Sequence, residues 1–369
     1  MRDNPTFIVS SDQHIGTKLY NFPELENDNK ELFIKLIDLC IELQTDYLIC
    51  VGDLFDINKP SSALVTFVRE QLDRLKANSI TIPIAIAGDH DKPIDDSTWQ
   101  KLAGFTDINK SHPAFVGVDY DDNPDHVIEL LNRELNSRPK NTVNHIFLHQ
   151  QIPELWPFCD EKKQVSLKAI DMSNHCESLE CIFLGDIHIR REMRYFDIPC
   201  NKHLFVGYCG SLGVTASDET KKPGIYYWDG KSLQLIDYTL IRKFVNVAVT
   251  KESIGVLTPE LFEKYRAEKN RPVFICRVDR DVESTESLHF LYDLGLVKFS
   301  KVKVGTDEQE EMVNIRSELK TIDRIAAVLK PLANKTEFPD IVYDAAYELL
   351  TSDDPKSVLD KLKKEQYDK

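Results

Sequence analysis

The chain has 369 residues, 42% of them hydrophobic and 29% charged, and a formal net charge of −15. That length buries a large core and predicts two or three folding units, and no apolar run approaches the ~20 residues of a membrane span. The acidic balance excludes a protein that holds nucleic acid on a broad basic face, because such binding rests on many Lys/Arg–phosphate contacts. Any phosphate chemistry must use local positive charge or metal ions.

In chain order, TFIVSSD (6–12) reads as a strand, ELFIKLIDLCIEL (31–43) as a helix with Leu32, Leu36, Leu39 and Leu43 on one face, and DYLICVGD (46–53) as a strand. SALVTFVREQLDRLKA (62–77) is again helical and IPIAIAGD (82–89) a strand. Short apolar runs ending in Asp/Gly, alternating with amphipathic helices, predict an α/β fold with covered strands. Further strands are expected at NHIFLH (144–149), ECIFLGD (180–186), HLFVGYCG (203–210) and GIYYWD (224–229). Asp229-Gly230 joins the last of these to KSLQLIDY as a hairpin.

After about Leu240 a second, smaller α/β unit is expected. Its strands are FVNVAVT, PVFICRVD and VKFSKVKV, with helix-like TPELFEKYRAEK (258–269) and STESLHFLYDLG (284–295) between them. From about Thr306 the chain turns charged and helical, with Pro331, Pro339 and Pro355 near the breaks. The domains so predicted are 1–240, 241–305 and 306–369. The eight cysteines (Cys40, Cys50, Cys159, Cys176, Cys181, Cys200, Cys209, Cys276) contain no CxxC pair and read as reduced core thiols. A zinc site on Cys176 and Cys181 lacks the second pair that a structural site needs. The N-terminus lacks a signal-like apolar stretch, so a cytoplasmic protein is expected, or one of the host cytoplasm if the source is viral.

Each strand of the first half ends in residues suited to metals: Asp12 and His14, Asp53 and Asp56, Asp89, His90 and Asp91, then His149, then Asp186 and His188. Open α/β sheets gather ligand sites at the carboxyl ends of their strands. A pair of divalent ions about 4 Å apart needs mixed Asp/His donors with one bridging carboxylate, and these segments supply such a set. One DxH alone is weak, since a single strand-end His is more often an ordinary hydrogen-bonded side chain. Five such segments in order are far harder to obtain by chance.

With SDQH at 11–14, GDLFD at 52–56, GDHD at 88–91, LHQ at 148–150 and GDIH at 185–188, the sequence resembles the calcineurin-like metallophosphoesterase superfamily. Within it the chain resembles the SbcD-type DNA repair nucleases, through GYCGSLG at 207–213 and the order of the following units. The resemblance implies a β-sandwich flanked by helices, a smaller α/β capping domain that helps place DNA, and C-terminal helices docking on an SbcC-type coiled-coil ATPase. It implies Asp12, His14 and His188 on one metal, Asp53 bridging, and Asp89, His149 and Asp186 on the other, with His90 off the metals and facing the scissile phosphate. Two divalent ions follow, Mn²⁺ first and Mg²⁺ as the alternative, together with a homodimer and phosphodiester hydrolysis by a metal-activated water.

Asp89 stands where the family usually has Asn, and Asp186 where it often has His. Two added anions make the second metal position harder, towards Mn²⁺ or Mg²⁺. The function expected is that of a DNA exo- and endonuclease acting in a repair complex. The alternatives are a phosphoesterase for a small substrate and a weakly catalytic DNA-end scaffold. Candidate substrate contacts are Asp56, Lys59, Lys92, Arg190, Tyr208 and Ser211, with Lys18 and Arg191 also near the motifs. The lysines and arginines read equally as solvated loop charges, and Tyr208 and Ser211 as packing and capping residues. On DIVYDAAYELL (340–350), an apolar stripe that includes Ile341, Ala345 and Leu349 serves either an ATPase partner or the chain's own second domain.

Overall fold

The computed structural model describes residues 4–91, 97–157, 159, 163–195, 203–215 and 224–302. Lys92, Cys200 and the whole 306–369 region with its expected helices and docking stripe lie outside the described residues.

The chain runs β1 (Phe7–Ser10), α1 (Pro23–Leu43), β2 (Tyr47–Val51), α2 (Ser62–Asn78), β3 (Ile82–Ile86), α3 (Trp99–Ala103), β4 (Thr106–Asp107), β5 (Phe115–Val118) and α4 (Pro124–Ser137). It continues through β6 (His145–His149), β7 (Cys181–Gly185), β8 (Arg191–Tyr195), β9 (Leu204–Tyr208) and the hairpin β10 (Gly224–Trp228) and β11 (Leu233–Asp237). Two sheets result, ordered β11-β10-β1-β2-β3-β4 and β5-β6-β7-β9-β8. β1 to β4 run parallel, as do β5, β6, β7 and β9, so the carboxyl ends of β1, β2 and β3 lie together, as do those of β6 and β7.

Strand alternation fixes the layers. Phe7, Val9, Tyr47, Ile49 and Val51 face inward and pack with Phe115, Phe147 and Phe183 of the second sheet. Ile8, Leu48 and Cys50 face outward beneath α1 and α2, and Val116, Ile146 and Ile182 lie beneath α4. This is the helix-flanked β-sandwich expected of the sequence. α1 begins with Pro23 at its first turn, where a missing N–H costs nothing, and α2 is capped by the Ser61 hydroxyl, which accepts from the Leu64 amide.

Contact grouping divides the chain into one unit of Met1–Val245, Lys264–Val273 and Leu294–Leu296 and another of Asn246–Glu263, Phe274–Asp293 and the residues from Val297. β12 (Phe244–Val249), β13 (Val273–Asp279) and β14 (Leu296–Val302) form a three-stranded sheet in that order. The intervening helices are shorter than their pattern suggested. α5 (Pro259–Phe262) gives way to a 3-10 turn at Glu263–Ala267, and α6 (Leu291–Leu294) follows a 3-10 turn at Glu286–Leu288. Segments of about 12 residues are marginal helices without extensive packing, and the first buries only Phe262, whereas the second buries Leu288, Leu291 and Leu294.

Candidate metal centre

Asp12 and His14 follow β1, Asp53 and Asp56 follow β2, Asp89 and His90 follow β3, His149 ends β6, and Asp186 and His188 follow β7. Their loops are tied to one another by main-chain bonds. The amides of Asp12, His14 and Ile15 donate to the carbonyls of Gly52, Asp53 and Leu54. The Asp186 amide donates to Asp12 Oδ1 (3.1 Å) and the His90 amide to Asp53 Oδ1 (3.0 Å). Asp12, His14, Asp53 and Asp186 all take positive φ (52°, 44°, 52° and 82°). Side chains in the left-handed region store strain that the surrounding structure must hold, a pattern concentrated at functional sites. Gly52, at φ 87°, allows His149 to approach closely, because a Cβ there would stand 2.1 Å from His149 Nδ1.

The donor atoms form groups within 4.8 Å of one another: Asp12, His14, Asp53 and His188; Asp89, His149 and Asp186; and Asp53, Asp89 and His90. Asp53 Oδ2 lies 3.6 Å from His14 Nε2 and 3.5 Å from His149 Nε2, between the first group and the second. His14 Nε2 and His188 Nε2 converge to 3.0 Å.

The imidazoles are oriented from behind. His149 Nδ1 donates to the Val51 carbonyl (2.7 Å), His188 Nδ1 meets Thr215 Oγ1 (2.9 Å), and His90 Nδ1 donates to the Asp56 carbonyl (2.5 Å). His14 Nδ1 stands 3.3 Å from Asp56 Oδ1. In His149, His188 and His90 the held Nδ1 leaves Nε2 as the nitrogen turned to the site.

Charge is uneven across the groups. Burial raises Asp53, but His149 and His14 outweigh it and hold its carboxyl below the usual carboxylate range. Burial, with the Asp53 charge beside it, raises Asp89, and burial raises Asp186 against the pull of His149. Asp91, fully buried and accepting from the Leu54 and Gly88 amides, is pushed up to about 7 by burial and by Asp53. Burial lowers His149 and His90, but Asp53 and the other nearby carboxylates more than reverse this in both. So many buried carboxylates facing one space call for a cation. Asp12 Oδ2, Asp186 Oδ2 and His149 Nε2 are buried without a hydrogen-bond partner, and a mixed imidazole–carboxylate set of this kind fits divalent metal ions.

Other expected contacts sit differently. Tyr208 is fully buried, and its hydroxyl accepts from the Ile152 amide (2.7 Å) and donates to the Gln150 carbonyl (3.1 Å). Ser211 is buried and donates to the Gly213 carbonyl (2.7 Å). Both therefore hold loops rather than line a substrate path, because their polar atoms are already committed. Arg190 is tied to Asp237 (2.9 Å), Asp56 faces His14, and Lys59 is exposed. Cys176 and Cys181 belong to none of these donor groups, and the described cysteines form no disulfide with one another. The sequence reading missed Thr215 behind His188 and Tyr120, whose ring centroid is 6.1 Å from that of His149. Tyr120 follows β5, and the apolar run AFVGV was the signal for that strand.

Residues 5–157 match the family of calcineurin-like phosphoesterases. That part of the chain is a calcineurin-like metallophosphoesterase domain, and the protein is a hydrolase. Over a longer stretch the chain is similar to Mre11 and SbcD proteins. It is 26% identical over 291 residues to the DNA double-strand break repair protein Mre11 of Saccharolobus solfataricus, covering 71% of this chain and 72% of that one. The protein of the same name from Sulfolobus acidocaldarius is 25% identical, with 96% and 97% covered. The SbcD component of the SbcCD nuclease of Staphylococcus saprophyticus is 23% identical, with 64% and 68% covered. Among the described residues no helix is long and apolar enough to cross a membrane.

Proposed function

We propose that the chain is a two-metal, Mn²⁺-dependent DNA exo- and endonuclease acting as one component of a repair complex. The observation that carries this reading is Asp53, whose carboxylate stands between two groups of Asp/His donors. Asp12, His14 and His188 would hold one ion together with Asp53, and Asp89, His149 and Asp186 would hold the other with the same carboxylate. Bound ions of this kind supply Lewis acidity to a phosphodiester oxygen and lower the pKa of water.

The chain's own part is orientation and proton control. His90 Nδ1 is held by the Asp56 carbonyl, so Nε2 is the nitrogen left to face substrate. Asp53, the Asp56 carbonyl and Asp89 favour the protonated imidazole against the cost of burial, which suits a group that stabilises or protonates a leaving oxygen. His90 is also the most exposed of the site histidines, at 41%. The hard donors Asp89 and Asp186 favour Mn²⁺ over softer ions. By its relatives' names the chain acts on DNA. A coiled-coil ATPase partner and a homodimer complete the assembly that this reading expects.

The test is cleavage of linear duplex and single-stranded DNA with Mn²⁺, run beside a chromogenic phosphodiester. His90→Ala should lose about 10²–10⁴-fold in cleavage rate while binding the same number of Mn²⁺ ions by calorimetry. Unchanged cleavage refutes the role of His90. Turnover of the chromogenic ester alone favours a small-substrate phosphoesterase, and DNA binding without turnover of either substrate favours a scaffold.

A further inference from the structure

Two cation–ring pairs lie among the loops of the second sheet, one of them beside His149 through Tyr120, and take no part in the chemistry above. The Arg191 guanidinium lies 4.5 Å from the centroid of the Trp156 ring, and Lys163 Nζ lies 5.8 Å from that of Tyr120. Among the described residues neither cation makes an ion pair; each rests on a ring instead. Arg191 is exposed, while Tyr120, Trp156 and Lys163 are half-buried.

Three strand-end loops of the second sheet are joined here. Tyr120 follows β5, Trp156 and Lys163 both belong to the segment after β6, and Arg191 begins β8. That segment is held at its base by the Tyr208 hydroxyl and by the bridge between Gln151 and Gln164. The Tyr120 ring centroid lies 6.1 Å from that of His149, and burial with the Asp186 charge raises both the Tyr120 hydroxyl and the Cys159 thiol, whose Sγ donates to the Trp156 carbonyl (2.7 Å). A surface cation beside so many carboxylates would ordinarily bond to one of them, as Arg190 does to Asp237.

We propose that Trp156 with Arg191 and Tyr120 with Lys163 form a strip that receives the unpaired end of a nucleic-acid strand at the second donor group. The proposal rests on the nuclease reading. An aromatic face with a cation on it offers stacking to a base and attraction to the phosphates beside it, the combination by which single strands are held without sequence preference. Bases inside a duplex are already stacked and present no free face, so the strip discriminates frayed or single-stranded ends from intact duplex. It also answers how a chain of net charge −15 draws a polyanion to a carboxylate-rich centre.

The experiment is fluorescence anisotropy of a labelled oligothymidine and of a blunt duplex of equal length, with Ca²⁺ in place of Mn²⁺ so that the centre keeps a divalent charge while cleavage is suppressed. Trp156→Ala and Arg191→Ala should each weaken oligothymidine binding about tenfold and duplex binding by no more than about threefold, and Trp156→Phe should recover most of the loss. Trp156 also packs on the second-sheet core, so the melting temperature of each variant is measured alongside, and Arg191→Ala carries the test if Trp156→Ala unfolds. Equal losses on both probes, or no loss on either, overturn the strip. If the unsubstituted protein binds neither probe, the nuclease reading falls as well; binding that the variants leave intact removes the strip alone.

Discussion

His145 offers a direct link between burial and acid stability. It begins β6 at the end opposite His149, is 2% exposed, and lies among the rings of Phe7 (4.9 Å), Trp228 (5.0 Å) and Phe115 (5.9 Å). Its Nδ1 has no hydrogen-bond partner. Burial, reinforced by nearby His112, pushes its pKa down to about 3. The unfolded chain titrates near ~6.5, so the folded state holds the neutral ring and the unfolded state takes up the proton first. This contribution is fully present above about pH 6.5 and is lost as pH falls towards 3. Between pH 7 and pH 5 the loss is about 2 kcal/mol, since each pH unit below ~6.5 is worth about 1.4 kcal/mol. His145→Phe keeps an aromatic ring and removes both the titration and the unpaired nitrogen. Urea unfolding at pH 7 and pH 5, with chelator throughout so that metal release does not contribute, should find the variant losing about 2 kcal/mol less than the parent. Equal losses in the two proteins would refute the reasoning.

Asp28 of α1 and Arg242 form a bidentate pair, each side chain 11% exposed, and Arg242 Nη1 also donates to the Arg271 carbonyl. Arg242→Ala strands a buried carboxylate whose pKa burial already raises, and should cost about 3–5 kcal/mol in urea unfolding at pH 7. The cost should shrink at pH 4, where the carboxylate can take a proton. Gly52→Ala places a Cβ 2.1 Å from His149 Nδ1 and 2.9 Å from Gly88 Cα at positive φ; it should destabilise the fold by about 2 kcal/mol or more and lower the Mn²⁺ stoichiometry measured by calorimetry. Mn²⁺ at about 100 times its dissociation constant should stabilise the protein by about 2.7 kcal/mol per site in thermal unfolding, with reversal by chelator; no shift would count against the centre.

The donor residues were legible in the sequence because each closes an apolar strand, and a strand's end is marked by an abrupt change from apolar to polar residues. β5 and β8 were less so. β5 carries a glycine within FVGV, and β8, REMRY, is a mostly exposed edge strand whose charges carry no apolar alternation. α4 was overlooked although Pro124, the Asn123 cap and Val127, Leu131 and Leu135 mark it. What no local pattern contains is the set of contacts behind the donors. Thr215 reaches His188 across 27 positions and the Val51 carbonyl reaches His149 across 98. Such pairings exist only once the two sheets are stacked. The same holds for the depth of each donor. In the first group Asp12 and His14 are 0% and 2% exposed and His188 25%; in the second His149 is 0% exposed and Asp89 27%, beside the 41% exposed His90 and the half-buried Tyr120. Sequence located the unusual residues Asp89 and Asp186, but their consequence is spatial. Asp89 and Asp186 place two carboxylates beside His149, so on the proposed reading a cation held there would offset their repulsion of an approaching phosphate.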